Sequence, residues 1–409
     1  MPEIRVSQRD SCRVCGGKLL KRWVHLQAMP LTDDLRLPGE ERDEFLYDVD
    51  VFYCLDCHTS QILHDIDYQG YYLDYSFTVA ESPFAANFMA GLAKATFAQY
   101  RLPEGCIVVE IGSGDGTQLS FFKKLGATVF GYEPSAVLCR ASESIGVPVY
   151  QGLFDENSLE HIPEEYHPAD VLLLTYTFDH IPEPVKFLET AGRLLNPETG
   201  LLIMEVHDLE KIMERREYCL FEHEHSVYLS VLTMQEILAR SGFCLISTDL
   251  LPETERRGNS LLVVAAKTSS VHAERALPPL TAGFSDDWSS YEAFNSEMAK
   301  GICRLDSFVN EQTAAGKRIA GYGAGGRGVM TLAALRSASK FKYLCDKNTA
   351  FHGRLAPKSR VPIVAPEHLS QNPVDVLLVF SFGYIDEIRE QVAHLPNAPA
   401  RIVSLLEIL

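Results

Sequence analysis

The sequence predicts an α/β protein with two parallel-sheet domains and a small cysteine-rich module in front of them. Short apolar runs alternate with helix-like segments from residue 84 onward, which is typical of βαβ units. Two of these runs lead into glycine-rich turns, at residues 112–116 and 321–328, and each turn is followed by a helical pattern. Near the N-terminus, four cysteines form two Cys-x-x-Cys pairs.

Length and composition narrow the class of protein. The chain has 409 residues, of which 46% are apolar and 22% charged, as expected of a globular protein with two or three domains. A formal charge of -18 leaves no basic stripe for a phosphate backbone, so we expect no nucleic-acid partner. The apolar runs are short and the N-terminus is polar, which predicts a cytoplasmic protein without a membrane partner. We expect a monomer or a weak dimer.

The paired cysteines predict a structural zinc site. Cys12 and Cys15 are separated by 38 residues from Cys54 and Cys57, and four thiolates suit a closed tetrahedral zinc ion. A single Cys-x-x-Cys pair can also have a redox role, but the presence of two pairs favours zinc. His58 adjoins the second pair and is either a further ligand or a surface residue.

An aromatic stretch separates this module from the first sheet. Tyr75 and Phe77 stand in the segment YYLDYSF, where they either wall a substrate pocket or pack between modules. Residues 84–100 then predict an amphipathic helix.

The first glycine-rich turn predicts a nucleoside site. A strand over residues 107–111 precedes it, and a helix and a second strand follow, the latter ending at Glu133. Gly112 and Gly114 let the backbone approach a ligand closely, because no Cβ intervenes. Glu133 is placed to accept hydrogen bonds from both hydroxyls of a ribose.

Acidic residues on both sides of this turn indicate which nucleoside binds. Glu110, Asp115 and Glu133 would repel the pyrophosphate of NAD but suit a cationic ligand. The pattern Glu-x-Gly-x-Gly-x-Gly resembles motif I of class I S-adenosylmethionine (SAM) methyltransferases, whose ligand carries an amine and a sulfonium. SAM is therefore the expected ligand.

The rest of this domain alternates strands and helices, and it closes with an antiparallel pair near residues 244–250 and 261–266. Phe154 follows the third strand, where an aromatic ring can flank an adenine. His180 follows the buried strand near residues 169–176, at the edge where open α/β sheets bind ligands.

The segment FEHEHSVYLS, residues 221–230, groups two histidines and two acids, and two readings compete. His223 and His225 can ligate one metal ion only if they lie on a strand, where residues i and i+2 point the same way. Alternatively, one histidine is a general base beside the carboxylates of Glu222 and Glu224. We favour the base.

After a linker at residues 268–288 and a long helix at 291–314, the second glycine-rich turn reads GYGAGGRG. Strand, Gly-x-Gly-x-x-Gly and helix form a dinucleotide fingerprint. A phosphate at this helix N-terminus, with Arg327 nearby, fits the same residues without requiring NAD.

Taken together, the segments resemble the deoxysugar C-methyltransferases along essentially the whole chain. The resemblance rests on the order of CRVCGG with PLTDDL, YCLDCHTSQIL, VVEIGSGDGTQL with GYEPS, FDHIPEP, HEHSVYLS, GYGAGGRG and DKNTAFHGR. It implies a class I SAM-dependent methyltransferase (Rossmann-like) core at residues 81–270. A four-Cys zinc module at 1–80 precedes this core, and a C-terminal Rossmann-like domain at 271–409 follows it.

The resemblance also implies a reaction and the residues that perform it. The family methylates carbon 3 of nucleotide-linked 4-keto-sugars through an enolate, with SAM as donor. Its base maps onto His225, and a pocket-lining histidine maps onto His180. Gly323 and Lys347 map onto the nucleotide-facing part of the third domain.

Glu222 departs from the family, which commonly has tyrosine at this position. Methyl transfer to oxygen or nitrogen of a sugar or other small metabolite is therefore an alternative, with Glu222 and His225 as bases. A non-catalytic SAM-binding scaffold is a third possibility.

Overall fold

The computed structural model describes residues 4–41, 43–66, 83–280 and 287–409. The chain divides into two compact units, each built from separate segments. Unit 1 comprises residues 1–20, 54–209 and 226–286, and unit 2 comprises residues 21–53, 210–225 and 287–409. The domain boundaries at residues 80 and 270 stay a prediction.

The described strands are β1 (Val6–Gln8), β2 (Leu20–Pro30), β3 (Leu46–Cys54), β4 (Ser60–Ile62), β5 (His64–Ile66), β6 (Ile107–Ile111), β7 (Thr128–Glu133), β8 (Val149–Gln151), β9 (Val171–Thr175), β10 (Leu201–Val206), β11 (Val227–Tyr228), β12 (Phe243–Ser247), β13 (Leu261–Lys267), β14 (Ile319–Tyr322), β15 (Phe341–Cys345), β16 (Ile363–Val364), β17 (Val376–Val379) and β18 (Arg401–Ser404). The described helices are α1 (Pro83–Tyr100), α2 (Thr117–Lys124), α3 (Ala136–Ser144), α4 (Pro184–Leu194), α5 (Leu209–Arg215), α6 (Val231–Arg240), α7 (Trp288–Ala314), α8 (Gly326–Ala334), α9 (His368–Gln371) and α10 (Ile385–Ala393).

Unit 1 contains a seven-stranded sheet in the order β12-β13-β10-β9-β6-β7-β8. Its pairs from β8 to β10 are parallel, whereas β13 runs antiparallel to both β10 and β12. From β8 to β10 the order is the doubly wound order 3-2-1-4-5, and an antiparallel pair replaces the usual sixth strand. The predicted methyltransferase-type core, including its closing pair, is confirmed.

Both faces of this sheet are covered, which explains its continuous apolar strands. Every residue of β10 is buried, although the strand includes a glutamate. Side chains of α1 and α2 pack on one face and side chains of α4 and α6 on the other. The cysteine pairs join the second of these cores, so the metal module and this sheet share apolar contacts.

Unit 2 contains a five-stranded sheet in the order β16-β15-β14-β17-β18, in which every pair is parallel. The glycine-rich turn joins β14 to α8, so the predicted second Rossmann-like fold is confirmed. The β2 and β3 strands are neighbours in the same unit. Trp23 on β2 makes edge contacts with Phe221, Tyr291 and Phe294, and these rings form an aromatic core. No helix in the described part of the chain is long and apolar enough to cross a bilayer.

Candidate active site and metal centre

The four predicted metal ligands meet in unit 1. One Sγ atom from each of Cys12, Cys15, Cys54 and Cys57 lies within 4.8 Å of the others. The Sγ atoms of Cys12 and Cys57 are 3.5 Å apart, and those of Cys15 and Cys54 are 3.6 Å apart. Tetrahedral zinc with Zn–S bonds of about 2.3 Å requires S–S separations of about 3.8 Å, so the cluster fits zinc.

Hydrogen bonds around the sulfurs support the same assignment. The Gly17 N–H donates to Cys15 Sγ at 3.3 Å, and the Gln61 side-chain amide donates to Cys12 Sγ at 3.0 Å. Donors of this kind orient ligands and stabilise thiolate charge. His58 is outside the four-cysteine cluster, and four sulfurs complete the tetrahedron, so the site has a structural role.

The first glycine-rich turn depends on its glycines. Gly112, Gly114 and Gly116 have φ angles of 74°, 54° and 77°, which side-chain-bearing residues rarely adopt. A Cβ on Gly112 would lie 2.4 Å from Thr177 Oγ1, whereas a Cβ on Gly114 would have no described heavy atom within 4 Å. The turn is therefore packed on one side and open above Gly114.

Two buried carboxylates flank this turn. Glu133 accepts hydrogen bonds from the N–H groups of Gly114 (3.0 Å) and Ser135 (2.8 Å), which fix its carboxylate beside the loop. Glu110 Oε1 accepts from the Thr175 hydroxyl at 2.9 Å, while Oε2 has no hydrogen-bond partner among the described residues. Burial raises the pKa of both acids, to about 8 for Glu110.

This arrangement fits SAM. The unsatisfied Glu110 oxygen and the acidic surroundings suit a cationic amine, and the open space above Gly114 admits a ligand beside the Glu133 carboxylate. Asp115 Oδ1 accepts from the Thr117 N–H at 3.0 Å, next to the start of α2. Phe154 packs edge-on against Tyr132 and Phe187, within the apolar core.

The edge formed by the ends of β9 and β10 holds a pair that the sequence did not reveal. His207 Nδ1 lies 2.7 Å from Asp179 Oδ2, and the His207 ring packs 4.6 Å from the Tyr176 ring. Predicted His180 is adjacent, with its Nε2 3.9 Å from Asp179 Oδ1. His207 directly follows β10. Its partner lies 28 residues away in the chain, so no local motif marks the pair.

A buried ion pair lies at the same edge of the unit 1 sheet. Arg257 forms a salt bridge with Glu205, to which the Ser260 hydroxyl also donates at 2.8 Å. The Arg257 guanidinium stacks 4.8 Å from the Tyr176 ring centroid. Tyr176 has a φ of 52°, a strained conformation that these contacts hold in place.

In unit 2, the histidine–glutamate segment is buried and makes specific contacts. The Thr32 N–H and hydroxyl both donate to Glu224 Oε1 at 3.1 Å. His223 Nε2 donates to the Met29 carbonyl at 3.0 Å, and burial lowers the pKa of His223. His225 Nδ1 lies 2.8 Å from the Leu220 carbonyl. Because a carbonyl only accepts, Nδ1 carries a proton, which assigns the Nδ1–H tautomer to the neutral form of this ring.

Glu222 lies at the second glycine-rich turn. A Cβ on Gly326 would lie 2.7 Å from Glu222 Oε1, so this carboxylate occupies the N-terminus of α8. Helix N-termini favour negative charge. Glu222 and Glu224 therefore contact different parts of unit 2, and residues 221–226 are not a strand. The structure gives no support for a shared His223–His225 metal site.

The predicted substrate residues of unit 2 surround the same turn. Gly323 has a φ of 100°, and the Arg327 guanidinium stacks 5.0 Å from the Phe382 ring. Lys347 forms a 2.6 Å ion pair with Glu387. Asp346 accepts from the Ala324 N–H at 2.6 Å.

The aromatic pair Tyr75 and Phe77 lies outside the described residues. The proposed pocket wall therefore stays a prediction.

Comparison with known proteins agrees with this architecture. Three family models match in order: a zinc binding domain at residues 12–72, a methyltransferase domain at 85–248 and a C-methyltransferase C-terminal domain at 257–406. The C-methyltransferase NovU of Streptomyces niveus is 26% identical over 390 residues, which cover 93% of this chain and 91% of that protein.

Solved structures show weaker similarity. The plantazolicin methyltransferase BpumL, in complex with S-adenosylhomocysteine (SAH), has a TM-score of 0.36 and 15% identity over 46% of this chain and 85% of its own. A possible histamine N-methyltransferase from Thermotoga maritima has a TM-score of 0.32 and 23% identity over 46% of this chain and 92% of its own. On the three matched domains and the similarity to NovU, the chain is a SAM-dependent methyltransferase with zinc and SAM as cofactors.

Proposed function

We propose that this protein methylates carbon 3 of a nucleotide-linked 4-keto-deoxysugar through an enolate, with His225 as the base. The observation that carries the proposal is the hydrogen bond from His225 Nδ1 to the Leu220 carbonyl. It orients the imidazole and places a proton on Nδ1, so that Nε2 is the nitrogen that can accept a proton. Comparison with NovU supports transfer to carbon.

The chain around His225 supports the same role. The Ser226 N–H donates to the Asp179 carbonyl at 2.8 Å, and the Ser226 hydroxyl donates to the His180 carbonyl at 3.3 Å. These bonds attach the residue that follows His225 to the ligand-binding edge of the unit 1 sheet. Glu222 and Glu224 hold their own segment, a positioning role that leaves proton removal to His225.

Each group has a separate role in the reaction. SAM supplies an electrophilic methyl group. The 4-keto group acidifies the C3–H bond, His225 takes that proton, and the electron pair passes to carbon 3 and the carbonyl oxygen as an enolate. Carbon 3 would then bond to the methyl group that SAM supplies, as the sulfur–methyl bond breaks and SAH leaves. Glu110 and Glu133 would hold the donor's amine and ribose while this occurs.

Methyl-labelled SAM and a panel of nucleotide-linked 4-keto-sugars test the proposal. We expect label on carbon, with loss of the neighbouring proton, and a large fall in rate for His225→Gln. His58→Gln, a change outside the cysteine cluster, is the control. Label on oxygen or nitrogen would instead favour the alternative transferase, and tight SAM binding without turnover would favour a scaffold. Full activity in His225→Gln would refute the base assignment.

A further inference from the structure

The pair formed by His207 and Asp179 has the geometry of an oriented acid–base group. Asp179 is 2% exposed, and its Oδ2 accepts from His207 Nδ1 at 2.7 Å. A carboxylate in this position fixes the imidazole tautomer and stabilises the imidazolium ion. The His207 side chain keeps 14% of its surface exposed.

The surroundings of the pair restrain it further. The Asp208 N–H donates to the Asn259 side chain at 2.9 Å, which anchors the chain directly after His207. The Tyr176 hydroxyl donates to the Asn259 carbonyl at 3.3 Å and holds the ring that packs on His207. Within unit 1, the titratable groups beside the imidazole include Asp179, Tyr176 and, through Asp179, His180.

The pair also lies at the edge of the sheet where the methyl donor is expected. Val206 ends β10, and its parallel neighbour β9 leads through Tyr176 and Thr177 to Asp179. Thr177 is the residue that a Cβ on Gly112 would strike. The glycine-rich turn and the His207–Asp179 pair are thus joined through one short segment of unit 1.

We propose that His207, oriented by Asp179, donates a hydrogen bond from Nε2 to the acceptor's carbonyl oxygen while that oxygen gains negative charge. The inference rests on the proposed function. The C3–H bond breaks, its proton passes to His225, and its electron pair forms the enolate. The imidazolium N–H of His207 stabilises the oxygen. When carbon 3 bonds to the methyl group and SAH leaves, the carbonyl re-forms and the proton remains on His207.

Substitution of His207 tests this role. His207→Phe removes every donor, and we expect kcat to fall by about 100- to 1,000-fold, the usual effect of losing one oxyanion donor. SAM affinity should stay within about twofold because the cofactor residues are untouched. His207→Gln retains an N–H donor and should recover part of the activity. His272→Gln, in the short helical turn Val271–Arg275, is the matched control.

Asp179→Asn supplies an independent readout. In SAH-bound protein with 15N-labelled histidine, we expect a strongly downfield His207 Nδ1 proton that moves upfield in Asp179→Asn. The rate loss of the double variant Asp179→Asn/His207→Phe should not exceed that of His207→Phe, since the two residues act as one unit.

Three results would overturn the inference. The first is a His207→Phe rate as high as that of His272→Gln. The second is a parallel loss of SAM affinity and thermal stability in all His207 variants. The third is a catalytic metal ion, in addition to zinc, bound by the pair. If wild-type protein methylates no keto-sugar, the proposed function fails. Absence of the downfield proton from wild-type protein contradicts the His207–Asp179 pairing itself, whichever acceptor is used.

Discussion

The two glycine-rich turns share one backbone design but differ in what stands beside them. In each, an acid at the end of the second strand accepts a loop N–H group: Glu133 from Gly114 in unit 1, and Asp346 from Ala324 in unit 2. Burial raises the pKa of both acids. Around the first turn, Glu110 keeps an oxygen without a hydrogen-bond partner among the described residues. At the second, the Glu222 carboxylate occupies the helix N-terminus.

The difference shows that a glycine pattern specifies a backbone conformation but does not specify which ligand binds there. The first turn is open above Gly114 and is acidic, as a cationic ligand requires. The second carries its own anion where a dinucleotide fold would place a pyrophosphate. We therefore expect SAM to bind at the first turn and NAD not to bind at the second.

Removal of zinc should change the first turn most. The cysteine pairs share a core with β6 and β9, and structural zinc contributes on the order of 10 kcal/mol to the folding of small modules. A strong chelator should abolish measurable SAM binding. Hydrogen exchange should show lost protection at residues 107–124 before residues 319–334. Equal loss of protection at both turns would contradict the explanation by a shared core. The control is metal-replete protein incubated with the calcium-loaded chelator.

Substitution of the two strand-end acids compares the turns directly. Glu133→Gln removes a charged acceptor for ribose hydroxyls, and we expect SAM affinity to fall by about 100-fold. The matched change, Asp346→Asn, should leave SAM affinity within about twofold. Titration calorimetry measures both. Similar losses in the two variants would mean that SAM binding does not distinguish the turns.

The pH dependence of SAM binding should depend on Glu110. Its pKa is raised to about 8 by burial, so the folded protein keeps this acid protonated at neutral pH. Its contribution to stability is complete below pH 4.5 and is lost as the pH rises through 8. A cation favours the ionised form, so SAM affinity should rise about tenfold between pH 6 and pH 9. Glu110→Gln should abolish most of this rise, and an unchanged slope would contradict the assignment.

Neutralising the anion at the second turn should have the smallest effect. Glu222→Gln removes a charge from the N-terminus of α8, which should lower the free energy of unfolding by about 1 kcal/mol. Urea denaturation measures this change. Glu390→Gln, an exposed carboxylate on α10, is the control and should alter stability by less than about 0.5 kcal/mol. A stabilised Glu222→Gln protein would show that the carboxylate does not favour this position.

Local patterns predicted much of the structure. The Cys-x-x-Cys pairs and the Glu110–Gly112–Gly114 turn depend on short spacings, and both form as expected. The sequence did not predict the salt bridge of Glu205 with Arg257, the contact of Glu222 with Gly326, or the pairing of His207 with Asp179. Each joins residues far apart in the chain, because the order of strands and the packing of loops bring them together. Strand β2 was also missed, since its polar residues interrupt the apolar alternation.

Deuterium exchange tests the central claim, that a histidine base generates a carbanion beside the methyl donor. The protein, saturated with SAH so that no methyl group can transfer, is incubated with a nucleotide-linked 4-keto-sugar in deuterated water. We predict that wild-type protein incorporates one deuterium at carbon 3, detected by NMR and mass spectrometry, and that His225→Gln does not. Failure of exchange with a sugar that wild-type protein does methylate, or equal exchange in both proteins, would contradict the account.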